Sequence, residues 1–342
     1  MIPFEKTSYA VQVRRLRKLA VRALKAFALD VSKPGVSKIE FINHGENATF
    51  KVTSSRGDKF LLRIHRLDYH TKPALHEEIK WLDRLSREGL QVPRPAGANA
   101  RSSLLKVEHP EVGARYCDLF HWIDGRFLSK SISKSDMFEI GQLLAKTQKV
   151  GRKISSTQRR YWTSEGLVGT EPKFGSIDQV VVASAAQQKK LTSIRRAVLS
   201  RLKKYEKRYP EKMGLIHADL HFGNLLKSKD GSIAAIDFDD CGYGFFAYDL
   251  VVPLVSVQYR LREHKRMRDY PKLKQALING YSSLAELNDR DLAVMEDLFI
   301  ARKLMMIGWL NSRSDNPKLK KRLRQYVPAT LKEIEKLKGA IP

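Results

Sequence analysis

Two short stretches of this 342-residue chain gather side chains suited to chemistry. The first is Gly214-Leu-Ile-His217-Ala-Asp219-Leu-His221-Phe-Gly-Asn224-Leu-Leu226, an apolar strand, a polar loop and a short apolar segment. The second is Ile233-Ala-Ala-Ile236, which runs into Asp237-Phe-Asp239-Asp240. Phosphoryl transfer needs a group that orients an acceptor hydroxyl, and hard oxygen ligands for an Mg²⁺ ion that bridges the phosphates. An H-x-D-x-x-x-x-N loop followed by an apolar strand ending in Asp supplies that set. Asp219 would be the catalytic carboxylate, and Asn224 and Asp237 the metal ligands, without the thiol or imidazole character that selects zinc. Two other readings stay open. His217-x-Asp219-x-His221 also has the pattern of a metal-hydrolase cluster, although no histidine follows until His264. The same residues could equally cap turns. His217 reads better as a loop-stabilising hydrogen-bond partner than as a ligand, and His221 as a loop residue.

Such a loop acts only if surrounding elements hold it. Tyr9–Ala28 has the pattern of an amphipathic helix, with Val13, Leu16, Leu19 and Ala20 opposite a basic face. Ile39–Ile42, Ala48–Thr53 and Lys59–His65 read as strands, the last two joined by the turn Ser54-Ser-Arg-Gly-Asp58. Helical periodicity runs from Pro73 to Arg87 and stops at Gly89. Its apolar stripe is Leu75, Ile79, Leu82 and Leu85, and at about 100° per residue Glu78 falls inside that arc while Glu77 falls outside. A carboxylate in an apolar stripe must be paired, since an isolated buried charge is costly. Two further strand-like pieces lead to Tyr116–Trp122, and Ile123-Asp-Gly125 marks a turn. Beyond it the pattern is mainly helical, apart from residues 214–236, with 152–176 the expected irregular loop. The fold class is α+β, with a sheet-rich unit over 1–120 and a larger helical unit over 121–342.

The net charge of +26 is the outlying number in the composition. Its carriers are spread widely; the runs Arg14–Lys18, Lys189–Arg208 and Lys318–Arg324 stand in helical patterns, and no aromatic-interleaved basic strand accompanies them. Solvated helix faces therefore explain the charge better than a nucleic-acid site. The apolar runs Leu250–Val257 and Leu304–Leu310 are far shorter than the roughly 20 residues of a membrane span. Two cysteines, Cys117 and Cys241, make no disulfide framework, and the first ten residues lack the apolar core of a signal peptide. A cytoplasmic protein is the expectation.

Ile216-His-Ala-Asp-Leu-His-Phe-Gly-Asn-Leu-Leu226 and Ala235-Ile-Asp-Phe-Asp-Asp-Cys-Gly-Tyr-Gly244 resemble the paired motifs of the aminoglycoside phosphotransferase and choline kinase family. Within it, the chain is similar to the bacterial branch of homoserine kinase type II and the stress-response Ser/Thr kinases. The resemblance covers about Phe41 to Trp309. It implies a two-lobed protein-kinase-like fold, ATP as phosphoryl donor, Mg²⁺, and a hydroxyl acceptor. Phe41–Phe50 matches the nucleotide-binding hairpin, which would bring Asn47 over the phosphates. Phe60–Ile64 matches the strand that usually carries a phosphate-contacting lysine; Arg63 stands there, with Lys59 as a fallback on the same face. Arg63 would pair with Glu78 as the family's lysine pairs with its glutamate. Tyr116–Gly125 matches the hinge, where backbone groups around His121 and Ile123 would meet adenine. Ala218, in the place of an arginine in kinases controlled by loop phosphorylation, implies constitutive activity. Asp249, only 12 positions after Asp237, resembles the family's buried structural aspartate. The expected acceptor is a small amino alcohol, hydroxy amino acid or sugar, walled by 152–176, Tyr243–Tyr248 and Arg302–Trp309. The alternatives are a Ser/Thr protein kinase or a nucleotide-binding pseudoenzyme.

Overall fold

The structure is a computed structural model that describes residues 3–28, 36–97, 102–128, 132–154, 158–159, 161–170 and 172–337. It comprises two compact units, residues 1–125 with 234–237, and residues 126–233 with 238–342.

In the first unit, helix α1 (Tyr9–Ala26) precedes strands β1 (Val36–His44), β2 (Ala48–Ser54) and β3 (Lys59–Ile64). Helix α2 (Lys72–Arg87) and strands β4 (Leu104–His109) and β5 (Gly113–His121) follow. The strands form one antiparallel sheet in the order β1-β2-β3-β5-β4. β1 is longer than its apolar run suggests, because pairing with β2 continues across two register shifts. Pleat alternation sorts the side chains by face. Phe50, Val52, Leu62, Ile64, Cys117 and Leu119 pack with Leu16, Leu19, Ala20, Ala23 and Leu24 of α1 in a buried core. Arg63, His65 and Asp118 project from the other face, since Arg63 pairs with Asp118 in register. The β2–β3 turn is held by the Ser54 hydroxyl, which accepts the N–H groups of Arg56 and Asp58, and by Gly57 at φ +90°. α2 starts at Thr71, whose hydroxyl accepts the Ala74 N–H, and buries Leu75, Ile79, Leu82, Leu85 and Glu78.

The second unit contains β6 (Arg126–Phe127), α3 (Lys134–Gly151), α4 (Ser164–Val168), α5 (Ala185–Arg208), β7 (Met213–Ile216) and β8 (Leu225–Lys227). After β9 (Ile233–Ala235), where the chain passes between units, come β10 (Gly242–Phe245), α6 (Phe246–Glu263), α7 (Tyr270–Ser282), α8 (Asp289–Asn311) and α9 (Pro317–Ile334). Reciprocal caps start three of these helices: Ser133 with Asp136, Ser184 with Gln187, and Asn288 with Asp291. β7 pairs antiparallel with β10, which sets the loop after β7 beside the start of α6.

Residues 152–176 depart from the expected irregular loop. They include α4, and both Arg159 and Trp162 are about 1% exposed. Composition concealed this because the stretch is rich in Ser and Arg, and its order comes from contacts distant in sequence. Residues 155–157, 160 and 171 of that stretch lie outside the described residues.

Candidate active site

The loop after β7 is fixed from behind by one buried carboxylate. Asp249, in the first turn of α6 and 0% exposed, accepts the N–H of His217 at 2.9 Å and that of Ala218 at 2.6 Å. Ala218 lies at φ +68°, a conformation that costs a residue bearing a Cβ about 1–2 kcal/mol. Asp237 is likewise left-handed, at φ +62°. Two of the five non-glycine residues of positive φ among those described thus fall in the two motifs. Burial raises the Asp249 pKa to about 7, against the Ala218 and His217 N–H groups and the Gln148 amide, which favour its charged form.

His217 is fully buried against Phe238, with ring centroids 4.4 Å apart, and its Nδ1 accepts the Asp219 N–H at 3.3 Å. His221 folds back so that Nδ1 accepts the Gly223 N–H at 2.9 Å, which leaves the hydrogen of the neutral ring on Nε2. Glycine at 223 permits this fold, because a Cβ there would lie 2.7 Å from the imidazole. Each histidine thus gives Nδ1 to the loop's own backbone, the loop-stabilising role expected of His217.

Asp219 keeps about a quarter of its side chain exposed. Its Oδ1 accepts from Arg302 Nη2 at 2.6 Å, and Oδ2 lies 3.6 Å from His221 Nε2. Asn224, 6% exposed, donates from Nδ2 to the Asp219 carbonyl at 2.9 Å. That bond sets the amide's orientation and leaves its oxygen, a hard donor, on the opposite side. Beyond Asp237, Arg159 donates to the Asp239 and Cys241 carbonyls at 2.6 and 3.2 Å. The Trp162 indole donates to the Asp240 carbonyl at 2.7 Å. The chain after Asp237 is thus pinned before it enters β10.

In the first unit, Arg63 and Glu78 meet as the apolar-stripe argument requires, with Nη2 to Oε1 at 2.7 Å. A second acid joins them. Arg63 Nε and Nη2 both donate to Asp118, and His65 Nε2 lies 2.8 Å from Asp118 Oδ2. Burial works against the Asp118 charge, but Arg63 and His65 outweigh it and hold its pKa below the usual carboxylate range. Arg63 is 5% exposed and its charge is matched by two carboxylates. Lys59 pairs with the exposed Asp124 at 3.2 Å. The Asn47 side chain accepts the Arg66 N–H at 3.1 Å, and Asn47 lines a cavity of about 580 Å³ with His65, Arg66 and Arg115. At the end of β5 the His121 N–H goes to the Arg94 carbonyl at 2.8 Å, and the Trp122 N–H goes to the Lys59 carbonyl at 3.0 Å. Among the described residues the Ile123 N–H has no such backbone partner.

Two side chains escaped sequence reasoning, Asp118 and Arg302. The signal that found Glu78 marks both: a charged residue inside an apolar pattern, Cys117-Asp-Leu-Phe120 and Phe299-Ile-Ala-Arg-Lys-Leu304.

An antiparallel-sheet unit with a strand–helix ion pair and a helical unit with an Asp-bearing catalytic-type loop define the protein-kinase-like fold. More narrowly, the chain belongs to the phosphotransferase enzyme family, whose sequence model matches residues 38–287. It is similar to the amicoumacin kinase of Bacillus subtilis, 23% identical over 310 residues that cover 88% of each chain. Among solved structures it resembles a microcompartment-associated aminopropanol kinase, with a TM-score of 0.75 and 25% identity over 90% of this chain and 94% of that one. It also resembles an amicoumacin kinase in complex with AMP-PNP, Ca²⁺ and Ami, with a TM-score of 0.73 and 20% identity over 96% of each chain.

Proposed function

We propose that this protein transfers the γ-phosphoryl group of ATP to a hydroxyl of a small metabolite, an amino alcohol, hydroxy amino acid or sugar. The observation that carries the reading is Asp219, a partly exposed carboxylate on a backbone fixed from behind by Asp249. As the acceptor oxygen bonds to the γ-phosphorus, its proton passes to Asp219, and the bond to the β–γ bridging oxygen breaks to release ADP. In a loose transition state little proton transfer is needed early, so orientation dominates.

Asn224 and Asp237 fit a divalent cation by donor chemistry, an amide oxygen of set orientation and a carboxylate. They would hold Mg²⁺, which supplies charge neutralisation to the phosphates when bound. Ile123, with an N–H not committed to a backbone carbonyl among the described residues, is the better adenine partner of the two hinge residues. His121 lends its carbonyl, which strand alternation turns away from β3 along with its N–H. Arg63 and Glu78 hold the strand and helix that frame the nucleotide, and Asn47 shapes the hairpin over the phosphates. The likeness to an aminopropanol kinase makes short amino alcohols the first acceptors to try.

The test is Mg²⁺-dependent ADP release against a panel of alcohol metabolites and a dephosphorylated lysate, with Asp219→Ala as control. Turnover on a panel member, lost in the variant, supports the reading. Signal with protein fractions alone overturns the small-molecule acceptor. An Asp219→Ala protein as active as wild type overturns the site.

A further inference from the structure

We infer that Arg302 is a positioning residue that orients the Asp219 carboxylate and reserves Oδ2 for the acceptor hydroxyl. The inference rests on the phosphotransferase reading of Asp219. Arg302 stands in α8 within an apolar run and is 9% exposed, a placement that is costly for a guanidinium unless its charge is met. Asp219 Oδ1 meets it at 2.6 Å, while Nη1 donates to the Tyr248 hydroxyl at 3.1 Å and, at the long distance of 3.5 Å, to the Ala218 carbonyl. Tyr248 is itself fully buried, stacked on Trp162 at 5.3 Å, so the guanidinium has a fixed partner on each side. Burial opposes the Arg302 charge, and the Tyr248 and Asp219 oxygens more than offset it.

A tie that merely braces the loop would act on its backbone, where Arg302 reaches only the Ala218 carbonyl at 3.5 Å and the shorter ties belong to other groups. Asp249 holds the N–H groups of His217 and Ala218, His217 holds that of Asp219, and Asn224 holds the Asp219 carbonyl. What Arg302 adds is a short charge-assisted bond to one carboxylate oxygen, which sets the plane of the group. Oδ2 remains, with His221 Nε2 at 3.6 Å, beyond hydrogen-bond range. One oxygen is held and the other faces the reaction, so the acceptor hydroxyl meets a single, pre-oriented lone-pair direction.

The experiment compares ADP release by wild type, Arg302→Ala, Arg302→Lys, Asp219→Asn and the Asp219→Asn/Arg302→Ala double variant, on the acceptor found for wild type. Misplacement of about 1 Å at a reacting group lowers turnover roughly 10²-fold. Arg302→Ala is therefore expected to lose about that factor in kcat, with the KM for ATP within about twofold. Millimolar guanidinium is expected to restore part of the rate to Arg302→Ala and none to Asp219→Asn, with urea as control. Arg302→Lys is expected to fall between wild type and Arg302→Ala, because an ammonium keeps the charge without the planar fork. In the Asp219→Asn background, Arg302→Ala is expected to change kcat little, since there is no longer a carboxylate to orient. Two results overturn the inference alone: an Arg302→Ala protein with undiminished kcat, or an equal loss in both backgrounds without guanidinium rescue. A wild type that releases no ADP with any acceptor overturns the parent reading, and the inference with it.

Discussion

Replacing Asp249 by asparagine separates two roles that one carboxylate combines. Both oxygens of Asp249 accept backbone N–H groups, at 2.9 and 2.6 Å, in a site without exposure. Asparagine offers one oxygen and turns an NH₂ group toward the other donor. A buried donor left unsatisfied costs about 1–3 kcal/mol, and that cost does not depend on pH. The carboxylate's own contribution does. Burial raises its pKa from 3.8 to about 7, so the native state keeps its proton to a higher pH than the unfolded chain. Between about pH 4 and about pH 7 the unfolded state therefore binds fewer protons, and this contribution to stability declines as pH rises. About three pH units at 1.36 kcal/mol each make the decline on the order of 4 kcal/mol. Asparagine does not titrate. Wild type should therefore exceed Asp249→Asn in stability most clearly near about pH 4.5, and the margin should shrink toward about pH 8. At roughly 2–4 °C per kcal/mol for a unit of this size, the margin should move on the order of 10 °C in Tm. A thermal-melt series of both proteins across that range is the assay. A margin constant with pH would refute the assignment of a proton-holding Asp249. Turnover should fall about 10²-fold at all pH values, because the Asp219 loop loses a backbone tie.

Three further outcomes follow from the geometry. Asp118→Asn, which leaves Arg63 with Glu78 alone, should destabilise the first unit by about 3–5 kcal/mol, as broken buried pairs do, and hydrogen exchange in β3 and β5 would register it. Asp136, capped by Ser133 and paired with Lys227, has a pKa held down by these partners against burial. Its stabilisation is present above the unfolded carboxylate range and lost as pH falls through the lower native value, so Lys227→Met should flatten the acid side of a melting curve. Asn224→Ala should raise the Mg²⁺ concentration needed for half-maximal turnover by about 10-fold or more, the scale on which even outer partners of a metal act. An unchanged Mg²⁺ requirement in a metal titration would remove Asn224 from the ligand set.

The family's paired motifs were legible in the sequence because their spacing is local. Asp219, Asn224 and Asp237 lie on one loop and one strand end, and polar types on apolar flanks are what phosphoryl transfer would ask of oxygen ligands and a proton acceptor. The sheet-then-helix order was legible for the same reason, since periods of 2 and 3.6 are properties of neighbouring residues. Glu78 could be placed by periodicity alone, and its need for a partner by electrostatics.

Tertiary structure decided everything that depends on residues distant in the chain. Arg63 faces two carboxylates, and the second, Asp118, lies 55 positions away on a strand whose register only the folded sheet sets. Arg159 and Trp162, in a stretch whose composition suggested irregular structure, bind the carbonyls just after Asp237. Arg302 comes within 2.6 Å of Asp219 across 83 positions. Each of these contacts offsets the burial of a polar or strained group, and which partner does so depends on packing. The sequence alone thus determined which groups are candidates for the chemistry, and the fold determined how each is held.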